Sequence, residues 1–337
     1  AGFAGGDGKN KWLQAGVDTA SDVAIDSAMQ FVEMLTDKDQ KGSWERFERT
    51  LATSALNNII QACDPVNVAR GSLMLYKEDL AFETLVGRSV WYRRYDSVLE
   101  YDGAFGKGWL HSFESFIHME KTEHEGREEY RATVMLQDGH RERFVFKGKK
   151  FEAEKTGSPY ELETEEDGRY VLKERRDGNR GEYRYDRSGR LVSYKRKKTE
   201  EPIRIYYIEG EDEERENRRS RIAKAEYPGG GELVFTYKNS YVTKVTDHVG
   251  RSIEYRYEGN RLKSVKFPTG GEETYNYDEN GHITSLTRED GRAFIENKYD
   301  RRGRVTEQEY PDKTRCRMEY NEQERKTVFR YSDSNRE

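Results

Sequence analysis

The sequence predicts a mainly β protein, in which an array of stacked β-hairpins follows a short helical N-terminal segment. Three observations support this fold class. A Tyr-x-Tyr motif followed by a turn recurs about every 20 residues, earlier segments alternate apolar and polar residues, and the chain holds 23 tyrosines although only 34% of it is hydrophobic. Recurrence at a fixed period is the signature of a repeat architecture. Because tyrosine can fill a core when its hydroxyl finds a partner, we expect a tyrosine-packed interior.

The composition excludes several classes of protein. Charged residues make up 36% of the 337 residues, yet the net charge is only −5. This balance disfavours a nucleic-acid binder of the basic-patch type and an acidic disordered tail. We find no apolar run long enough for a membrane span and no apolar signal-peptide core near the N-terminus. The chain begins without methionine, which is typical of a fragment or a processed product.

Residues 1–62 form the predicted helical N-terminal adaptor segment. Apolar residues between Val17 and Leu35 recur at helical spacing, and a second apolar stripe extends from Trp44 to Ile60 after the candidate N-cap Ser43. Two short helices bury little apolar surface by themselves. We therefore expect this segment to dock on the next domain or on a partner.

Residues 63–158 form a predicted β domain. The segments 90–95 and 143–146 are rich in β-branched and aromatic residues, and 137–140 has the composition of a hairpin turn. The segment 101–109 places three glycines among aromatic residues. Such spacing predicts a tight loop that packs against a sheet.

Residues 159–337 form the predicted hairpin array. Tyr-x-Tyr places two rings on one face of a strand, the following aspartate bonds the turn, and glycine adopts its positive φ. The repeat-motif residues are Tyr183, Tyr185, Asp186, Gly189, Tyr255, Tyr257, Tyr275, Tyr277, Asp278, Gly281, Tyr299, Asp300 and Gly303, and degenerate units centre on Tyr207, Tyr237 and Tyr320. One hairpin is marginally stable, whereas stacked hairpins bury a continuous layer.

The reiterated Tyr-Asp-x-x-Gly-Arg-Leu units resemble the YD repeats of the Rhs family, which are also seen in insecticidal toxin-complex proteins and teneurins. A second resemblance, to the N-terminal β domain of that family, rests on the segments 64–73, 93–97 and 102–109. Its signature residues are Asp64, Pro65, Gly71, Arg94, Tyr95, Gly106, Gly108 and Trp109. The two resemblances together cover residues 64–331.

The resemblance implies a strip of repeats that forms part of a spiral cocoon shell. The chain would be a non-enzymatic carrier segment of a polymorphic toxin, a secretion-system effector used in interbacterial competition or host targeting. Its implied partners are a toxin domain or the remainder of the shell, and a secretion spike, adaptor or chaperone at residues 1–62. The implied location is the bacterial cytoplasm before export. The alternative is a surface adhesion or carbohydrate-binding module, with exposed tyrosine and tryptophan stacking on sugars.

No catalytic, cofactor-binding or metal-binding residues are predicted. The six histidines lack paired metal-ligand spacing, and recurrence of aspartate at every turn favours turn stabilisation over catalysis. Cys63 and Cys316 are far apart in sequence, which predicts reduced thiols without a disulfide framework. A third and weaker alternative is an enzyme that processes its own chain at Cys63.

Overall fold

The computed structural model describes residues 61–62, 65–67, 70–84, 87–124, 127–174, 181–195, 200–208, 221–321, 323 and 326–332. These residues form strands, turns and loops without a helix. The predicted helices of residues 1–60 lie outside the described residues. For the last two residues of that segment the helical prediction is wrong, because Gln61–Ala62 is a strand that pairs with Val66–Asn67.

The N-terminal β region comprises the strands that precede the repeats. They are β1 (Gln61–Ala62), β2 (Val66–Asn67), β3 (Met74–Thr84), β4 (Gly87–Asp96), β5 (Asp102–Gly103), β6 (Gly106–Lys107), β7 (Trp109–His111), β8 (Phe116–His124), β9 (Arg127–Met135), β10 (Arg141–Phe146) and β11 (Phe151–Ala153). Strands β3, β4 and β7 form one sheet, and β8 to β11 form another. The predicted turn at 137–140 connects β9 to β10.

The repeat sheet comprises sixteen strands, each antiparallel to the next in chain order. They are β12 (Tyr160–Thr164), β13 (Tyr170–Glu174), β14 (Glu182–Tyr185), β15 (Leu191–Lys195), β16 (Ile203–Tyr207), β17 (Ile222–Tyr227), β18 (Gly231–Lys238), β19 (Tyr241–Asp247), β20 (Ser252–Glu258), β21 (Arg261–Lys266), β22 (Glu272–Tyr277), β23 (Ile283–Thr287), β24 (Ala293–Tyr299), β25 (Val305–Glu309), β26 (Arg315–Asn321) and β27 (Lys326–Ser332). This sheet confirms the predicted β-hairpin strip.

The inner face of the repeat sheet is its buried face, and alternation along each strand produces it. In β20, Ile253 and Tyr255 are buried, whereas Glu254 and Arg256 are exposed. Successive side chains of a strand point to opposite sides, so residues two apart share one face. The buried rings and aliphatic groups of these strands join those of the N-terminal β region in one core cluster.

Candidate functional site

The inner face of the repeat sheet is covered by tryptophans of the N-terminal β region. Trp91 Nε1 donates to Tyr255 Oη at 2.9 Å, and Trp109 Nε1 donates to Tyr277 Oη at 3.1 Å. The Trp109 ring also meets the Tyr275 ring edge to face, with centroids 5.2 Å apart. Three motif tyrosines, Tyr255, Tyr275 and Tyr277, therefore contact tryptophans of the preceding region.

A group of charged and polar side chains, all buried except the half-buried Lys77, lies in this interface. We call Lys77, Asp79, Arg93, Glu273 and Tyr275 the Arg93 cluster. Arg93 Nε donates to both carboxylate oxygens of Asp79, at 3.0 and 2.9 Å, and Nη2 donates to Glu273 Oε2 at 3.0 Å. Glu273 also accepts from Lys77 Nζ at 2.8 Å and from Tyr275 Oη at 2.6 Å. The cluster joins strands β3 and β4 to β22 with two positive and two negative charges.

Ion pairing in the Arg93 cluster offsets part of the cost of burying these charges, although burial raises the pKa of Asp79 above its ordinary value. Burial disfavours the charge of Arg93, but the carboxylates of Asp79 and Glu273 outweigh it and hold the pKa of Arg93 well above its usual range. Burial also opposes ionisation of Glu273, yet Arg93 and Lys77 lower its pKa. The guanidinium lies 5.1 Å from the centroid of the Trp109 ring, which adds a cation–π contact.

Glu273 is the exception in a series of apolar residues on the inner face. The residues four positions before the second tyrosine of each unit are Gly181, Ile203, Leu233, Ile253, Glu273, Ile295 and Cys316. Glu273 is the charged member of this series, and it faces Arg93. The ion pair therefore marks the repeat unit that contacts Arg93, while Trp91 and Tyr95 of the same strand contact neighbouring units.

Two glycines of the signature, Gly106 and Gly108, lie where the N-terminal β region contacts the repeat turns. Gly106 adopts φ +84°, and the next amide, of Lys107, donates to the carbonyl of Asn260 at 3.0 Å. Gly108 has φ +78° and packs against the ring of Tyr95. Tyr95 Oη in turn accepts from the amide of Ile283 at 3.3 Å.

The other signature residues differ in location. Gly71 lies against the ring of Tyr320, and its carbonyl accepts from the amide of Val305 at 2.8 Å, which joins it to the last repeats. Pro65 is buried and bonds within the N-terminal β region, where its carbonyl accepts from Met74 N. Arg94 is buried beside Met74. Asp64 lies outside the described residues.

The recurring aspartates stabilise the hairpin turns. Asp300 Oδ1 accepts from the amides of Arg302 and Arg304 at 2.9 and 3.0 Å, and Oδ2 accepts from Arg304 Nε at 2.7 Å. The same arrangement of bonds to the turn recurs at Asp186 and Asp278, and also at Asp247. Gly189, Gly281 and Gly303 supply the positive φ that completes each of the three motif turns.

Sequence reasoning missed the role of the second tyrosine in five of the repeat units. Its hydroxyl donates to the carbonyl of the aliphatic residue that opens the preceding return strand. The pairs are Tyr207 with Leu191, Tyr257 with Val242, Tyr277 with Leu262, Tyr299 with Ile283 and Tyr320 with Val305, at 2.5 to 2.8 Å. The constant separation of 15 or 16 residues is the signal in the sequence that identifies these pairs.

The hydroxyl bond fits the local register of the strands. A β-bulge at Tyr257 leaves Lys263 unpaired between β20 and β21, and the pairing of β21 with β22 begins only at Ser264. Leu262 therefore lies outside the pairing of β21 with β22, and its carbonyl accepts from the hydroxyl of Tyr277. The residue before the aliphatic one lies over the tyrosine ring. For example, Cζ of Arg261 is 5.8 Å from the centroid of the Tyr277 ring. These contacts give a physical reason for the Arg-Leu pair of the motif.

We expect Tyr277→Phe to lower the free energy of unfolding by about 1–3 kcal/mol. The change leaves the carbonyl of Leu262 and the indole N–H of Trp109 without their partner in a buried setting. Tyr206→Phe is the matched control, because that hydroxyl binds Glu226 at the surface and the ring is 39% exposed. Urea denaturation measures both, and equal effects would contradict this role.

We expect the protein to lose stability as the pH falls below about 4. Burial opposes ionisation of Asp278 and Asp300, but hydrogen bonds outweigh it and lower their pKa below the ordinary value of 3.8. A lowered folded pKa contributes stability that is complete above the unfolded value and is lost as pH falls through the folded one. Melting temperatures between pH 8 and 3 test this. Asp300→Asn should reduce the fall in melting temperature at low pH. A fall equal to that of the wild type would contradict the role of Asp300.

Metal-ligating side chains do not cluster in the part of the chain that the structure describes. It holds no group of three or more histidine, cysteine, aspartate or glutamate side chains placed to bind a metal. His111 is buried, accepts from the amide of Phe113 through Nδ1 and lies 2.9 Å from Glu114 through Nε2. Within these residues, no helix has the length and apolar character that crossing a membrane requires.

The prediction of reduced thiols is wrong for Cys316. This residue is fully buried on the inner face and is disulfide-bonded. The sequence contains one other cysteine, Cys63, which lies outside the described residues. Separation along the chain misled the sequence argument, because the fold brings the start of the N-terminal β region to the last repeats.

Two family models match parts of the chain. A family model described as a domain of unknown function, DUF6531, matches residues 63–144, and one described as the RHS Repeat matches residues 258–293. No curated protein is found to match the chain.

Several solved structures are similar at low scores. One described as TcdB2-TccC3 has 9% identity and a TM-score of 0.28, and covers 84% of this chain and 24% of its own. The Photorhabdus luminescens Tc holotoxin pore has 8% identity and a TM-score of 0.23, and covers 94% and 24%. The chain thus spans about a quarter of the length of these structures.

Proposed function

We propose that this chain, a member of the Rhs/YD-repeat family, is a non-enzymatic shell segment that encloses or delivers a toxin. The observation that carries the proposal is the sixteen-stranded repeat sheet, whose inner face is lined by buried rings and covered by the N-terminal β region. An antiparallel sheet extended by one hairpin per repeat is suited to form a wall. In this role the side chains of the chain pack and dock, and they do not react.

The proposed partners are a toxin domain, or the remainder of the shell, and a secretion spike, adaptor or chaperone at residues 1–62. Delivery to competing bacteria or to a host follows from the same proposal. Family membership supports these partners. The balanced charge, with a net value of −5, fits a wall that binds proteins better than one that binds nucleic acid.

The burial of the repeat tyrosines disfavours the alternative of a carbohydrate-binding module. Tyr255 and Tyr275 are at most 2% exposed, and their hydroxyls are bonded to the Arg93 cluster. Stacking on a sugar needs an exposed ring face, which these residues do not offer. A glycan array distinguishes the two functions, since specific binding to a sugar would favour the alternative.

Limited proteolysis of the product of the complete open reading frame tests the shell function. We expect a segment outside residues 1–337 to survive in the folded product and to be cut rapidly once denaturant opens the repeat sheet. The same segment expressed alone is the control for intrinsic resistance. Cleavage at equal rates in the folded product and in the isolated segment would overturn the proposal.

A further inference from the structure

We propose that Cys316 is bonded to Cys63 and that this disulfide is a redox-controlled clasp between the N-terminal β region and the last repeats. The structure gives Cys316 as disulfide-bonded, and the sequence has two cysteines. Cys63 is therefore the one partner available within the chain. The clasp goes beyond the proposed shell function and does not depend on it.

Contacts independent of sulfur bring the two ends of the clasp together. The carbonyl of Gly71 accepts from the amide of Val305 at 2.8 Å, and Gly71 lies against the ring of Tyr320. Tyr320 is on β26, four residues after Cys316 and on the same face. Cys63 is three positions before Val66, a span of about 10 Å. Val66 in turn forms a bridge with Leu73, beside Gly71.

The position of Cys316 within the repeats also favours this assignment. It occupies the inner-face position that is isoleucine in the units of Ile253 and Ile295, and it is 0% exposed. Its strand β26 pairs with β25, where Gln308 opposes it. Since the N-terminal β region covers this face, a bond from Cys316 to the start of that region closes a loop of more than 250 residues.

The clasp responds to the compartment in which the chain resides. Two thiols lose two protons and two electrons as the S–S bond forms, and thiol–disulfide exchange passes them to one glutathione disulfide, which becomes two glutathione thiols. A reducing cytoplasm keeps the two cysteines as thiols, whereas an oxidising compartment favours the disulfide. The non-covalent contacts of Gly71 hold the same docking in either state, so closure adds stability without a new arrangement.

Peptide mapping without reductant tests the pairing. The full chain, purified aerobically and blocked with N-ethylmaleimide in denaturant, is digested after glutamate. We expect residues 49–78 to be linked to residues 310–319, with a mass two hydrogens below the sum of the free peptides. Alkylation of both cysteines without reductant, or a link only between chains, would overturn the proposal.

Thermal denaturation with and without dithiothreitol tests the control by redox state. We expect the reductant to lower the melting temperature by roughly 10 °C, as expected for opening a long loop. Cys63→Ala should melt near the reduced wild type and show no further shift with reductant. A variant that responds to reductant as the wild type does would overturn the clasp, because the shift would then arise elsewhere.

Discussion

Arg93→Met should lower the free energy of unfolding by about 3–5 kcal/mol, because the change leaves two buried carboxylates without their shared partner. Asp79 and Glu273 both bind the Arg93 guanidinium, and the arginine is 0% exposed. Methionine keeps much of the length and removes the charge. Stability of a domain is commonly about 5–15 kcal/mol, so this loss is a large fraction of the total. Urea denaturation followed by tryptophan fluorescence measures it, since Trp91 and Trp109 lie in the same interface.

Two further variants separate the ion network from the loss of a side chain. Arg256→Met is the matched control, because the Arg256 side chain is 65% exposed and its contact with Glu272 is 3.8 Å long. We expect it to change stability by less than about 0.5 kcal/mol. Adding Asp79→Leu and Glu273→Leu to Arg93→Met should recover part of the loss, since apolar replacements remove the unpaired charges. Equal effects of Arg93→Met and Arg256→Met would contradict the role of the cluster.

The hairpin array can be predicted from the sequence because the residues that form each hairpin lie within a single repeat unit. The tyrosine pair defines the face, Asp300 and its counterparts bond the turn, and Gly303 supplies the positive φ. These interactions are local, within four or five residues. Local interactions leave a pattern in the sequence that repetition makes visible.

Interactions between distant segments were not predicted, because one chain shows no pattern for them. Arg93 and Glu273 are 180 residues apart, and neither differs in type from the many charged residues at the surface. The disulfide of Cys316 was missed for the same reason. Glu273 does interrupt an apolar series on the inner face, and this interruption is the one local sign of a buried partner.

Gly106→Ala should be the most damaging of the glycine substitutions in the signature loop, at about 3 kcal/mol or more. A Cβ at Gly106 would overlap the backbone carbonyl of Asn260, which cannot rotate away as a flexible side chain would. The same carbonyl accepts from the amide of Lys107 at 3.0 Å, so the loop cannot shift without losing that bond. An alanine at this position is also strained by the backbone angle, since φ is +84°.

Gly250→Ala isolates the part of this cost that belongs to the backbone angle. Gly250 has φ +86°, nearly that of Gly106, but a Cβ there meets no atom within 4 Å. We expect it to cost about 1 kcal/mol, and the difference between the two variants measures how closely the loop approaches the repeat sheet. Urea denaturation gives both values. If the two cost the same, the docking of the N-terminal β region tolerates a side chain at Gly106, and the glycine is then needed for its backbone angle alone.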